Sequence, residues 1–398
     1  MLVHICCSVD SHYFLSELHK AYPDENLVGF FYNPNIHPKE EHDLRLLDVR
    51  RSCNMLDIKL IEGEYDMQTW FNNVRGLEDE PEKGDRCNAC FDTRLIKTAQ
   101  LAKEMQIPKF TTTLLSSPMK EQQILYKQGD IIAEKNDLEF IKINVRANGG
   151  VNKQNELARA DRLYRQNYCG CNFALKQQRT KQNKLTFEMM SNIGRQIMPA
   201  SNEARMAVFQ NRDMLESQGR GYVLTQQEHV VWRLLSGRAW HKKEIINSYI
   251  LARSTSKKRV KSSKITWTKP KIKNFYQIFQ TQLDSLPAKE KILLLEKKEN
   301  RYKADSLLLI GFSQKDDSMF IDIDTLNFFF DTTYQNVSDM VKNPPQYTQE
   351  IHLRYGLCGM ESVNPIVVLN SQIPHDITID IQSVLQNERN FILFEEVQ

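Results

Sequence analysis

The chain has 398 residues, 26% charged and 41% hydrophobic, with a formal net charge of +3. At about 150 residues per domain this length predicts roughly two or three domains, and nineteen Phe with fourteen Tyr exclude disorder for most of the chain. No apolar run approaches the ~18 residues of a membrane span. The opening MLVHICCSVDSHYF lacks the basic start and apolar stretch of a signal peptide, so a cytoplasmic protein with no membrane partner is expected.

Taken in chain order, the first 150 residues alternate short apolar runs with amphipathic helical patterns. Strands are predicted over 1–6, 27–32 (LVGFFY), 58–61, 109–115 (KFTTTLL) and 139–145, with helices over 11–21 and about 38–55. Asn33-Pro34-Asn35 reads as a turn, and Pro38 with Glu40 and Glu41 suits a first helical turn. Helices between strands predict right-handed crossovers and a parallel α/β sheet. Ligands of such sheets sit where the strands' carboxyl ends meet the loops. Further helix is expected over 89–104, 155–164, 176–220 and 224–250. The Ser/Lys-rich stretch 254–273 reads as a connector. The remainder carries strand-like runs at 306–312, 319–323, 326–331 (LNFFFD), 365–370 and 391–397, which predict a second, α+β domain.

The net charge hides an uneven distribution. Residues 1–237 hold 31 Lys/Arg against 31 Asp/Glu, residues 238–273 hold 12 against one, and residues 274–398 hold 10 against 18. The middle segment also interleaves Trp240, Tyr249 and Trp267 with its cations. It reads either as a solvated linker or as a surface for nucleic-acid phosphates.

Six of the eight cysteines form close pairs: Cys6-Cys7, Cys87-x-x-Cys90 and Cys169-x-Cys171. In a reducing compartment such pairs are more often metal ligands or redox centres than structural disulfides. Cys6 and Cys7 end the first strand, with Asp10 three residues on. Two thiolates and a carboxylate there offer soft and hard ligands together, or else two buried thiols and a helix cap. Cys87 and Cys90 enter a helix, where backbone N–H groups favour the thiolate. They read as ligands or as a redox pair, and the pair alone does not separate zinc, a cluster and a dithiol. Cys169 and Cys171, with Gly170 between them, can turn toward one centre or close a strained, reducible disulfide. Cys53 and Cys358 are expected to be structural, and His4 a hydrogen-bonded core histidine. No GxGxxG, Walker A or SGGxDS loop is present, which speaks against nicotinamide, flavin and ATP pyrophosphatase sites.

Together, HICCSVDS, FYNPNIHPKEEHDLR, RCNACFDTRL, TTTLLSSP and LYRQNYCGC resemble the QueH family of epoxyqueuosine reductases, over about residues 1–180 and in the family's motif order. The resemblance implies a Rossmann-like (HUP-type) parallel sheet with flanking helices. The implied reaction is the last step of queuosine biosynthesis, reduction of the epoxide of epoxyqueuosine at the wobble position of tRNA. It implies that Cys6, Cys7, Cys87 and Cys90 hold a [4Fe–4S] cluster. Asp10 matches an acidic position that ligates the cluster or an adjacent second iron. Cys169 and Cys171 match the family's CxC, read as a redox-active disulfide or as part of the second iron site. Polar groups near the predicted strand ends, Tyr32, Asn33, Asn35, Glu41 and Arg94, are candidate substrate contacts. Partners are then tRNA and an external electron donor.

These readings give three segments: a catalytic domain over 1–215, a helical and basic connector over 216–285, and a C-terminal α+β extension over 286–398. The alternative from a different class is a zinc-stabilised RNA-binding protein whose cysteines are structural.

Overall fold

A computed structural model describes residues 1–190, 194, 196–269, 278, 287–304, 308–370 and 375–396. The chain divides into two compact units. One is Met1–Met190 with Asn202–Gln226 and Phe391–Gln398, and the other is Ser191–Ser201 with Gln227–Asn390.

The first unit is built on β1 (Leu2–His4), β2 (Val28–Phe31), β3 (Lys59–Glu62), β4 (Lys109–Thr112) and β5 (Glu139–Phe140), all parallel in the order β3-β2-β1-β4-β5. Helices α1 (Ser8–Ala21), α2 (Lys39–Met55), α3 (Met67–Asn73), α4 (Asp85–Glu104), α5 (Gln122–Asn136), α6 (Gly150–Ala160), α7 (Asn172–Lys181) and α8 (Asn202–Ser217) connect and cover the strands. Leu2, Val3 and Ile5 are fully buried, as expected for a central parallel strand covered on both faces. The chain leaves β1 toward β2 and β3, then returns on the other side as β4 and β5. That reversal opens a crevice at the carboxyl end of β1, where such sheets bind ligands. His4 is a satisfied core residue: its ring bonds Thr112 Oγ1 (2.9 Å) and the Tyr32 carbonyl (3.1 Å), and burial lowers its pKa to about 3.

The second unit holds two sheets. Strands β8 (Ser248–Ile250), β10 (Ile265–Thr268), β11 (Ile310–Ser313), β12 (Met319–Asp322) and β13 (Ile366–Leu369) make one, in the order β10-β11-β12-β13-β8. Strands β6 (Tyr222–His241), β7 (Glu244–Ile246), β9 (Lys257–Ser263) and β14 (Asp376–Glu395) make the other, in the order β7-β6-β14-β9. The sheets share a core in which Ile377, Ile379 and Ile381 of β14 meet Phe320, Val367 and Leu369. Helices α9 (Ala288–Ala304), α10 (Ile323–Phe330), α11 (Val337–Lys342) and α12 (Tyr347–Cys358) complete the unit.

Three expectations are corrected. Residues 224–250 form strands joined by short turns rather than helix, because β-sheet pairing overrides the helical preference of Gln, Glu, Leu and Arg there. The segment 216–285 is therefore not a helical connector: its described part supplies strands β6 to β10, while 270–277 and 279–286 lie outside the described residues. Residues 326–331 belong to a helix, not a strand. Asp322 caps it by accepting from the Thr325 N–H (2.8 Å), and Asp331 closes it in the left-handed conformation. A short apolar run does not by itself separate the two. Phe391 also packs with Tyr164 and Phe209, so the first unit takes residues from the far end of the chain.

Glu350 gives the second unit a pH signature. It is buried, accepts from Tyr249 Oη (2.6 Å), the Ala252 N–H (2.7 Å) and Gln196 Nε2 (2.7 Å), and faces Arg354. Burial pushes its carboxyl from 4.5 to about 7. Between those values the folded state keeps a proton that the unfolded chain has released. Stability from this group therefore falls as pH rises through that window, by on the order of 3 kcal/mol, and is flat outside it. Urea unfolding of Glu350→Gln is expected to show a shallower loss of stability between about pH 4.5 and pH 7; identical slopes for both proteins would contradict this.

Candidate active site

Cys6 and Cys7 follow β1 directly. Cys7 is the N-cap of α1 in extended conformation, so Asp10 lies in the first turn rather than capping it. Their sulfurs are 3.9 Å apart, and Cys6 Sγ lies 3.5 Å from Asp10 Oδ2. Among the described residues, Cys6, Cys7 and Asp10 are the one group of three ligand-bearing side chains close enough to share a single ion, all within 4.8 Å. Asp10 is held on its other oxygen by Gln154 Nε2 (2.9 Å), while Ser116 Oγ donates to its carbonyl (2.9 Å).

Cys87 and Cys90 enter from the start of α4, where Gly84 is the N-cap and the Lys83 N–H donates to Cys87 Sγ (3.2 Å). Cys171 is the N-cap of α7. Three helix N-termini therefore present cysteines, and their partial positive charge favours thiolate or bound anion. Burial opposes this: it pushes Cys87 up and Cys171 to about 12. Cys7 is also raised, by its hydrogen bond with Cys6 and then by burial. All eight cysteines are free.

The three pairs line one cavity of about 640 Å³, together with Asp10, Asn33, Asn35 and Arg94. Asn33 Oδ1, Asn35 Oδ1, Trp70 Nε1 and two Arg86 nitrogens (Nε and Nη2) are buried without a hydrogen-bond partner, and all four residues line this cavity. Orphaned buried polar atoms carry a desolvation cost that a bound group relieves.

Two expected contacts do not line it. Tyr32 stacks on Phe30, with ring centroids 5.9 Å apart, because the two-residue period of a strand puts both rings on one face. Glu41 is fully buried, accepts from Arg45 Nε (2.8 Å) and from Tyr164 Oη (2.8 Å), and so lies behind the cavity. Its partner Arg45 does line the cavity, and donates to the carbonyls of Cys169 (3.1 Å) and Tyr168 (3.0 Å). Arg45, Arg86, Gln154 and Lys120, also in the lining, were not singled out from sequence. Only Arg45 had a local signal, its i,i+4 spacing from Glu41. Cys53 is core, and Cys358 ends helix α12 rather than lying in a loop, donating to the Arg354 carbonyl (3.3 Å).

Gly170 is required by this geometry. Its φ is +110°, and a Cβ there would lie 2.8 Å from Ile36 Cγ1 and 3.3 Å from Arg45 Nη1. Gly170→Ala is expected to destabilise the protein by about 2 kcal/mol and to lower turnover by displacing the flanking cysteines. Thermal unfolding and activity measured together check this, and a variant equal to the parent in both would contradict it.

A parallel α/β sheet whose carboxyl edge gathers six free thiols and a carboxylate around one cavity is equipped for metal or thiol chemistry. The family of epoxyqueuosine reductase QueH matches residues 1–177. Epoxyqueuosine reductase QueH of Helicobacter pylori is 39% identical over 401 residues, covering 99% of this chain and 100% of that protein. Proteins of the same name from Histophilus somni (38% identical, 44% of this chain and 72% of theirs) and Thermotoga maritima (33% identical, 47% and 95%) are similar over the shorter stretch. The chain belongs to the QueH family.

Proposed function

We propose that this protein reduces epoxyqueuosine at the wobble position of tRNA to queuosine, the final step in making that nucleoside. The observation that carries it is the convergence of Cys6, Cys7, Cys87, Cys90, Cys169 and Cys171 on one cavity, in a chain alignable end to end with a named reductase. The strand order and the site at the carboxyl end of β1 fit a Rossmann-like (HUP-type) fold.

The donor set fits an iron–sulfur centre. A closed zinc site with Zn–S near 2.3 Å would draw four ligand atoms to within about 4 Å of one another. Cys6, Cys7 and Asp10 approach that spacing, with no four-ligand group among the described residues. Cys6, Cys7, Cys87 and Cys90 would hold a [4Fe–4S] cluster. Asp10, Cys169 and Cys171 are left for a second iron, or, in the two cysteines, for a disulfide. When bound, such a centre supplies electrons singly and a Lewis acid for the epoxide oxygen.

The reaction takes two electrons and two protons, breaks both C–O bonds of the epoxide, and yields the alkene and water. The electrons come from an external donor. Asn33 and Asn35 offer acceptor oxygens, and Arg86 and Trp70 offer N–H donors, for a polar substrate held in the cavity. Gln154 holds Asp10, and Arg45 fixes the loop of Cys169 and Cys171. No helix among the described residues is long and apolar enough to cross a membrane, which suits action on tRNA in the cytoplasm.

Anaerobic purification tests the metal. A brown protein holding iron and sulfide supports the reading. Zinc without iron contradicts it and favours a structural role for the cysteines.

A further inference from the structure

Five cations of the second unit are placed where the backbone does not favour them. Five non-glycine residues between 242 and 264 have positive φ: Lys242 (47°), Lys243 (73°), Arg253 (63°), Arg259 (47°) and Lys264 (58°). Every one is Lys or Arg. Elsewhere among the described residues five of nine such positions are Asp or Asn (57, 137, 148, 183 and 331), the others being Lys83, Gln106, Arg162 and Ala200; Asp and Asn are the side chains that best tolerate the left-handed region. Lys242-Lys243 forms the two-residue turn between β6 and β7, both residues at positive φ, where Asn-Gly is the favoured pair. Holding Lys or Arg at these positions costs backbone energy.

Lys242, Lys243 and Lys264 lie at one end of the four-stranded sheet, and Arg259 lies further along β9. His241, beside the turn, bonds the Asp376 carbonyl at the start of β14 (3.2 Å), and Lys261 of β9 pairs with the Asp376 carboxylate (3.2 Å). Asp376 is also in register with Ser263, next to Lys264. The turn, the start of β14 and the end of β9 therefore meet around one carboxylate. At the other end of β9 the register slips opposite Asp380, and the bulge carries Lys258 and Arg259. Lys257 pairs with Asp317. Lys242, Lys243, Lys258, Arg259 and Lys264 are exposed and have no ion-pair partner among the described residues. Trp240 lies beside the turn, in register with Ile245. Of the other two interleaved aromatics, Tyr249 is buried against Glu350 and Trp267 packs on the core between the sheets.

We infer that these exposed cations of the four-stranded sheet dock the phosphate backbone of the tRNA substrate. The inference rests on the proposed function, which supplies a polyanion for the protein to hold. Sequence-independent phosphate contacts by lysine and arginine hold a nucleic acid in place while another site reads it, and counterion release makes them salt-dependent.

The test uses the full chain, because residues 391–396 belong to the first unit and a truncation would remove them. The variant Lys242→Asn/Lys243→Gly/Arg259→Asn/Lys264→Asn removes four charges and installs residues that suit the left-handed region. It is expected to melt no lower than the parent. Its tRNA affinity should fall about tenfold or more, and the slope of log affinity against log salt should shrink by about three. Reduction at saturating tRNA should keep its kcat while KM rises. Lys289→Ala/Lys297→Ala, which neutralises exposed lysines on α9, should bind as the parent does. Unchanged affinity and slope in the fourfold variant overturn this surface while leaving the proposed function standing. Loss of binding to phosphatidylserine vesicles with unchanged tRNA affinity overturns it in favour of a membrane. Failure of the parent protein to bind or reduce tRNA overturns both.

Discussion

Replacing Cys87 by serine in the full-length protein is expected to lower epoxyqueuosine reduction by at least about a hundredfold and to deplete bound iron, while the fold persists. Serine keeps the size of the side chain and can still accept from the Lys83 N–H, so α4 has no reason to move. It replaces a soft thiolate by a hydroxyl that is a poor ligand for an iron–sulfur centre. Cys53→Ser is the internal control. Burial pushes that thiol up to about 12 and the residue sits in the main core. Its replacement should cost about 1–3 kcal/mol of stability for the buried hydroxyl and leave iron content and turnover unchanged. Iron per chain and turnover measured on both variants check this pair. Equal losses of iron in the two, or full activity in Cys87→Ser, would contradict it.

Arg45→Met carries the second large effect. Arg45 and Glu41 are 3% and 0% exposed at the side chain, with Arg45 Nε 2.8 Å from Glu41 Oε1. Removing the guanidinium leaves a buried carboxylate that has lost its ion-pair partner and keeps the Tyr164 hydroxyl and the neighbouring Arg205, a loss of about 3–5 kcal/mol. For a unit of this size that lowers the melting temperature by about 10 °C. It also strips the Cys169 and Tyr168 carbonyls of their donors, so the loop carrying Cys169 and Cys171 loosens. The double variant Glu41→Gln/Arg45→Met removes the orphaned charge. It should regain much of the stability but not the turnover. Recovery of both together would show Arg45 to be structural only, with no part in positioning the cysteine loop.

What the sequence disclosed follows from how local each signal is. The parallel sheet was legible because LVHI, VGFF and KFTT are apolar runs separated by helical patterns. The three cysteine pairs and Asp10 were legible as short-range motifs, and the sheet's switch point explains their meeting. Contacts made across the fold were not. Gln154 reaches Asp10 over 144 residues and Arg45 reaches Tyr168 over 123, and no spacing announces either. Tyr32 and Glu41 lay near the right strand ends but on the wrong side, a distinction set by strand alternation and by the Arg45 ion pair. The second unit was least legible. Residues 224–250 carry helix-forming side chains, yet pair as strands, and LNFFFD is helical because Asp322 caps it. The basic segment was visible as composition, but its left-handed lysines and arginines needed the backbone.

Anaerobically purified, iron-loaded protein incubated with tRNA bearing epoxyqueuosine and a chemical reductant, with the nucleosides then resolved by mass spectrometry, tests the reaction at its substrate. Epoxyqueuosine is expected to be replaced by a product lighter by one oxygen atom and identical to queuosine, and Cys87→Ser is expected to leave the epoxide in place. Epoxyqueuosine unchanged by the iron-loaded parent protein would contradict it.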